Sequence, residues 1–312
     1  GVDFAFLDAH GKFAGIPRNY RDPRTSDILP WAFERVSREE IYDKTGIQFM
    51  NFNTLFQLAA MVRDQDPTLT IARNLLFIPN ALTYLFCGDV SAEYTIATTS
   101  QAYDPKAEDW AWELLDALEI PREVMPRIVP PCTVVGALRP AICEELNCSP
   151  VPVILVGSHD TASAVAAVPA DESRSWAFLS SGTWSLLGVE LPAPLISPEA
   201  LRLNYTNEGG LAGRIRFLKN IMGLWLIQEC RHEWQRQGLL FTFDEMDDMA
   251  TEAEPFRSLI DPNADVFIAP GNMPDRIAAF CRETGQPVPR DPWSDHALCL
   301  GLAGAALSTC PR

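Results

Sequence analysis

Asp160 stands between a run of apolar residues, Val151–Val156, and a run of small ones, in the segment Gly157-Ser158-His159-Asp160-Thr161-Ala162-Ser163. A carboxylate at a strand-to-helix junction is favoured in its ionised form by the partial positive charge of the helix start. Such a group can accept a proton from an attacking hydroxyl, and in phosphoryl transfer it orients the nucleophile as well as acting as base. An Asp in the first turn of a helix also serves as a plain cap, and His159 taken alone reads as a satisfied, partly buried histidine. A second feature, Leu179-Ser180-Ser181-Gly182-Thr183-Trp184, is a tight turn. Its small residues let backbone amides and the Thr183 hydroxyl approach an anion. The competing reading is a hairpin that binds nothing.

These residues need elements to hold them. Val151–Gly157 reads as a buried strand, Thr161–Val168 as a helix of small residues, and Ser175–Ser180 with Trp184–Glu190 as the arms of a hairpin around Ser181-Gly182-Thr183. Upstream, Val2–Asp8 alternates as a strand, and Asp8-Ala9-His10-Gly11-Lys12 reads as a turn into a second one. Helical periodicity appears in Ile28–Ser37, Glu39–Thr45 and Thr54–Asp64, and Leu75–Pro79 runs as strand or loop into a helix over Asn80–Phe86. Downstream, Arg214–Leu218 is a short strand, and Asn220 is expected to cap a long helix over Ile221–Gln237. Prolines 126, 130, 131, 140, 150 and 152 crowd one stretch, which places a lobe boundary near residue 150.

A chain of 312 residues, 47% hydrophobic and 21% charged, is long enough for two domains with real cores. Its formal charge of -16 argues against a surface that neutralises nucleic-acid phosphates or sits on an anionic membrane. No apolar run approaches the roughly 18 residues that span a bilayer, and Gly1–Tyr20 lacks the pattern of a signal segment. A cytoplasmic location is expected. The eight cysteines form no CxxC pair and do not cluster with the four histidines, so no metal site is expected and reduced, buried thiols are.

The order of these features is that of the second lobe of the actin and sugar-kinase fold, and the wider set of motifs makes the resemblance specific. Gly1-Val2-Asp3-Phe4, Tyr20-Arg21-Asp22-Pro23-Arg24-Thr25, Thr45-Gly46-Ile47-Gln48-Phe49, Asn53-Thr54-Leu55, Ser158–Ala164, Ser180–Leu186 and Leu218–Trp225 resemble the L-rhamnulose kinase branch of the FGGY carbohydrate kinases. The resemblance runs from Gly1 to about Cys299. It implies an α/β, two-lobed actin/hexokinase-like (ribonuclease H-like) fold, with 1–149 as the remainder of a sugar-binding N-terminal domain and 150–312 as part of a nucleotide-binding C-terminal domain.

It further implies that Asp160 is the catalytic base for the primary hydroxyl of the sugar, with His159 and Thr161 lining the sugar site and Gly1 and Asn220 as further sugar contacts. Thr183 and Gln228 match positions that contact ATP, and Arg21, Asp22 and Asn53 are weaker matches. The implied reaction is in-line transfer of the ATP γ-phosphoryl group to the 1-hydroxyl of L-rhamnulose, in a cleft whose closure excludes water, with Mg²⁺ arriving on the nucleotide. Cys281 and Cys299 match cysteines that pair in the family, although free thiols are expected here. The oligomeric state is left open.

Three departures from the family pattern are visible. The Gly- and Ser-rich phosphate hairpin that opens family members does not precede Gly1, the Gly-Gly-Gly adenosine loop does not follow Cys299, and Asn80 stands where an Asp is usual. On these grounds the chain is expected to lack terminal segments and to turn over little, because positioning cannot replace a missing phosphate loop. The rival readings are a kinase of L-fuculose or xylulose, a non-catalytic sugar-binding remnant, and a metal hydrolase built on Asp160 and His159. The last is disfavoured by the lack of a second ligand cluster.

Overall fold

The computed structural model describes residues 2–171, 174–252 and 256–289. The chain divides into two compact units, the first made of residues 1–177 with 188–219 and the second of residues 178–187 with 220 onward. The division cuts through two strands, Trp184–Leu191 and Ile215–Met222.

In the first unit, β1 (Phe4–Leu7) is the middle of an antiparallel three-stranded sheet between β2 (Phe13–Ala14) and β3 (Asn74–Phe77). Both faces of β1 are covered, so all four of its side chains are apolar and buried rather than alternating. The sheet shares one core with the helices α1 (Ile28–Phe33), α2 (Arg38–Thr45) and α3 (Thr54–Arg63). Ser37 caps α2 by accepting the Glu40 amide at 3.2 Å, and Gly46 ends it in the left-handed region at φ 64°. Every residue of α3 from Thr54 to Met61 is buried, as expected of a helix in the interior of a layer. Leu55, Phe56, Leu58, Leu75, Phe77, Leu114 and Leu115 form the centre of this core.

Two further pieces of the first unit lead to the site. The strand Pro152–Ile154 pairs antiparallel with Val134–Ala137 and runs through Gly157 into the helix Asp160–Ala166. The strands Thr206–Gly209 and Ile215–Leu218 form an antiparallel ladder in which Glu208 lies opposite Arg216. Residue 150 falls between the helix Pro140–Leu146 and the strand Pro152–Ile154.

The second unit packs the helices Trp225–Arg236 and Met273–Glu283 around Met222, Leu226, Ile227, Cys230, Phe267, Ile277 and Cys281. One expectation fails here. The strand beginning at Ile215 continues to Met222, and the helix starts at Trp225 with no side-chain cap, so Asn220 is a strand residue. The Met222 amide donates to Asn263 Oδ1 at 2.9 Å, a partner remote in sequence that holds the backbone out of the helix. The expectation of buried thiols is also corrected in part. Cys143, Cys230 and Cys281 are buried, but Cys132 and Cys148 are exposed, and Cys299 lies outside the described residues. No helix among the described residues is long and apolar enough to cross a membrane.

Candidate functional site

The segment Ser158–Thr161 carries an exposed carboxylate on a buried base. The Asp160 side chain is 95% exposed, while His159 beside it is 7% exposed and Thr161 is also buried. Asp160 Oδ1 accepts from the Thr161 amide at 2.7 Å and lies 3.6 Å from His159 Nε2.

The backbone of this segment is held from below. Glu93, fully buried, caps the short helix Tyr94–Thr98 by accepting from the amides of Thr95 at 2.9 Å and Ile96 at 3.3 Å. The same carboxylate accepts from the Thr95 hydroxyl at 2.5 Å and, across the fold, from the Ser158 amide at 2.9 Å. The Thr95 hydroxyl oxygen in turn accepts the His159 amide at 3.1 Å. Each donor is a backbone or hydroxyl group withdrawn from water, where an unmade bond is costly.

The imidazole is held from the side. Arg216, with no exposed surface, reaches His159 Nδ1 at 2.8 Å with Nη2, and the same nitrogen contacts Glu208 Oε2 at 3.2 Å and donates to the Gly209 carbonyl at 3.1 Å. Burial, reinforced by the adjacent Arg216 charge, holds the His159 imidazole well below the usual histidine range. The ring is therefore neutral near pH 7. Glu208 and Asp160 supply the negative charge that keeps a buried guanidinium tolerable.

Of the residues singled out from the sequence, His159, Asp160 and Thr161 are thus gathered in the first unit. Asn220, Thr183 and Gln228 belong to the second. There Thr183 sits at the exposed turn between Phe178–Ser181 and Trp184–Leu191, and Gln228 is half-buried in the first turn of the helix Trp225–Arg236. Gly1 lies outside the described residues. Asp22 is occupied as the cap of the turn Pro23–Thr25, and Asn53 is buried between the Gln48 carbonyl and Gln101. Among the described residues, no group of His, Cys, Asp or Glu is gathered as a metal ion would need.

The turn bearing Thr183 is clamped by the segment that follows the strand. Thr183 O accepts from the amides of Gly223 at 3.1 Å and Trp225 at 3.3 Å, and Gly182 O accepts from Leu224 at 2.8 Å. A β-carbon on Gly223 would lie 2.6 Å from Ser185 Oγ and 2.7 Å from Gly182 O. Gly223→Ala is therefore expected to lower stability by about 2 kcal/mol, read as a shift of the urea midpoint with unchanged slope. A shift too small to resolve would mean that the clamp yields freely.

Glu93, Thr95, Glu208 and Arg216 were not singled out from the sequence. The available signals were local ones. An arginine flanked by Ile215 and Phe217 in a strand must be inside or outside with its face, and a Glu two residues before a Thr at a helix start suits a cap.

Comparison with known proteins assigns these elements a lineage. Residues 1–167 match the N-terminal domain, and residues 177–309 the C-terminal domain, of the FGGY family of carbohydrate kinases. The chain is 46% identical over 289 residues to a rhamnulokinase from Bacteroides thetaiotaomicron, covering 93% of this chain and 59% of that protein. It is 42% identical over 301 residues to a rhamnulokinase from Enterococcus faecalis, covering 96% of this chain and 59% of that protein. The chain thus spans about three-fifths of the length of these relatives. Among solved structures it resembles a xyloylose kinase from Brucella ovis, with a TM-score of 0.72 and 19% identity over 98% of this chain and 61% of that one. A glycerol kinase from Plasmodium falciparum follows at a TM-score of 0.66 and 14% identity, over 84% of this chain and 54% of that one. The α/β fold is that of the sugar kinases.

Proposed function

Because this chain belongs to the FGGY family of carbohydrate kinases, we propose that it supplies the acceptor-activating part of an ATP-dependent kinase for the 1-hydroxyl of L-rhamnulose. The observation that carries this reading is the Asp160 carboxylate, 95% exposed while the residues on either side are held in the core. A carboxylate that holds only the neighbouring Thr161 amide and is otherwise open to water is available to a ligand, and rigid flanks fix where it points. The sugar is inferred from the rhamnulokinases, to which the chain is similar over nearly its whole length.

In this reading Asp160 orients the 1-hydroxyl and takes its proton as the oxygen attacks the γ-phosphorus in line with the departing ADP. His159 and Thr161, with Gly1 and Asn220, contact the sugar. Thr183 and Gln228 contact ATP, whose Mg²⁺ enters with the nucleotide and offsets the charge on its phosphates. The location is cytoplasmic, where ATP is available, with no nucleic-acid or membrane partner.

Calorimetric titration of this chain with L-rhamnulose, L-fuculose and D-xylulose, alongside Asp160→Ala, tests the proposal. L-rhamnulose is expected to bind at least about tenfold more tightly than the other two. Preference for L-fuculose or D-xylulose would reassign the substrate within the family, and no binding by folded chain would reject the sugar site.

A further inference from the structure

Arg216 lies outside every residue assigned a contact with sugar or nucleotide, yet it is the largest wholly buried side chain among the described residues. Its guanidinium is an obligate donor, because it does not lose its proton at any pH a protein meets. Nη2 is 2.8 Å from His159 Nδ1. A proton on Nδ1 would face another N–H at hydrogen-bond distance, so Nδ1 must be the acceptor. A neutral imidazole that accepts at Nδ1 carries its one proton on Nε2, and Nε2 is the nitrogen that lies 3.6 Å from the exposed Asp160 carboxylate.

The competing proton arrangement comes from Glu208, whose Oε2 lies 3.4 Å from the same Nδ1 and would prefer to accept from it. Arg216 is nearer by enough to decide the matter. It also takes up the Glu208 charge itself, at 3.2 Å. Glu208 is thus the counter-ion that lets the guanidinium stay charged in the interior, rather than the partner of the imidazole.

We propose that Arg216 is a positioning residue that fixes His159 as the neutral, Nε2-protonated tautomer, so that one N–H donor and one carboxylate stand side by side toward the acceptor hydroxyl. The proposal rests on the reading of Asp160 as the base and extends it to a residue beyond the sugar site. Asp160 accepts from the attacking hydroxyl. The His159 Nε2–H donates to an oxygen of the same sugar, which orients the ketose while leaving the carboxylate free for the proton. The reverse tautomer would present a lone pair beside a carboxylate and repel the hydroxyl oxygen.

Among the described residues, the charged groups around the imidazole are Asp160 on its own helix, Glu208 and Arg216 on the paired strands, and Glu93 and Glu190, whose charges also act on Arg216. Protonating Nδ1 requires displacing the Arg216 contact. Sugar affinity should accordingly stay level as the pH is lowered through the range in which an ordinary histidine titrates.

The test is ring-nitrogen NMR of the chain labelled with ¹⁵N-histidine, with His159 assigned from His159→Gln. The expected spectrum shows an unprotonated Nδ1 and a protonated Nε2, unchanged from about pH 8 to about pH 5.5. Arg216→Lys, which keeps an obligate donor, should preserve this pattern and keep L-rhamnulose affinity within about threefold. The double variant Arg216→Met with Glu208→Gln removes the ion pair without stranding a buried charge. It should show mixed tautomers titrating in the ordinary histidine range, and bind the ketose about tenfold more weakly, the size of one hydrogen bond.

A parent ring protonated at Nδ1 or doubly protonated near neutrality would overturn the proposal, as would a folded double variant that keeps the parental spectrum. The spectrum needs no ligand. A parent with the expected ring state that binds no ketose would therefore reject the sugar reading and leave the tautomer assignment standing.

Discussion

Asp160→Asn is expected to lower the rate of ketose phosphorylation by about a thousandfold, the middle of the range that general-base removal costs. The measurement is steady-state turnover of a protein of the relatives' full length that contains this chain, with ADP release coupled to a dehydrogenase. The amide keeps the shape of the carboxylate and can still accept from the Thr161 amide, now 2.7 Å away. Sugar affinity should then change by less than about threefold, since the lost interaction belongs to the transition state rather than to the bound sugar. A drop in kcat with KM nearly unchanged is the expected signature. The side chain is 95% exposed, so the melting temperature should move little, the loss being one of several charges that act on Arg216. A variant that keeps more than about a tenth of parental turnover would remove Asp160 from the role of base, and the exposed carboxylate would then be a surface group.

Glu93→Ala should have the largest effect on stability, about 4 kcal/mol, read from urea unfolding. Glu93 has no exposed surface and its two oxygens together accept from the Thr95 amide and hydroxyl, the Ile96 amide and the Ser158 amide. Truncation removes a helix cap worth about 1 kcal/mol and leaves several buried donors without partners, each at about 1–3 kcal/mol. Relaxation and water entry recover part of that sum. Glu93→Gln keeps one oxygen acceptor, sets an amide donor against other donors, and is expected to cost about 2 kcal/mol. Exchange of the Ser158 amide reports the change locally and should accelerate in both variants ahead of the global core. A loss below about 1 kcal/mol in Glu93→Ala would mean that the segment bearing Asp160 is held by something other than this carboxylate.

The two predictions divide the site into a part proposed to meet the sugar and a part that holds it. The first part was legible in the sequence. An apolar run, a histidine and aspartate, and then small residues described a strand, a junction and a helix start, and the strand Pro152–Ile154 and the helix Asp160–Ala166 lie where that pattern put them, although the strand expected to be buried is short and mostly exposed. The same local logic served α2, α3 and the hairpin from Phe178 to Leu191, because in each the period of apolar residues or the turn chemistry is contained within a few neighbours, while β1 was placed correctly but is buried on both faces rather than alternating. Family membership was legible for a similar reason, since the residues that carry it are grouped in short motifs.

The second part could not be read in the same way. The Glu93 carboxylate meets the Ser158 amide across 65 positions, and Arg216 meets His159 across 57. Nothing in the composition around either residue names its partner, because a buried charge is explained only by what the tertiary fold brings to it. The helix expected from Ile221 failed for the same cause. Asn220 is a sound cap by local chemistry, but Asn263 takes the Met222 amide, and Gly182 and Thr183 take the amides of the next three residues. Those bonds extend the strand and delay the helix to Trp225. Local sequence therefore determined which residues present a carboxylate, a turn and an apolar face. The tertiary structure alone decided which buried groups satisfy one another, and through Arg216 and Glu208 it decided which nitrogen of His159 carries the proton, because hydrogen bonds withdrawn from water must close on whatever partner the fold supplies.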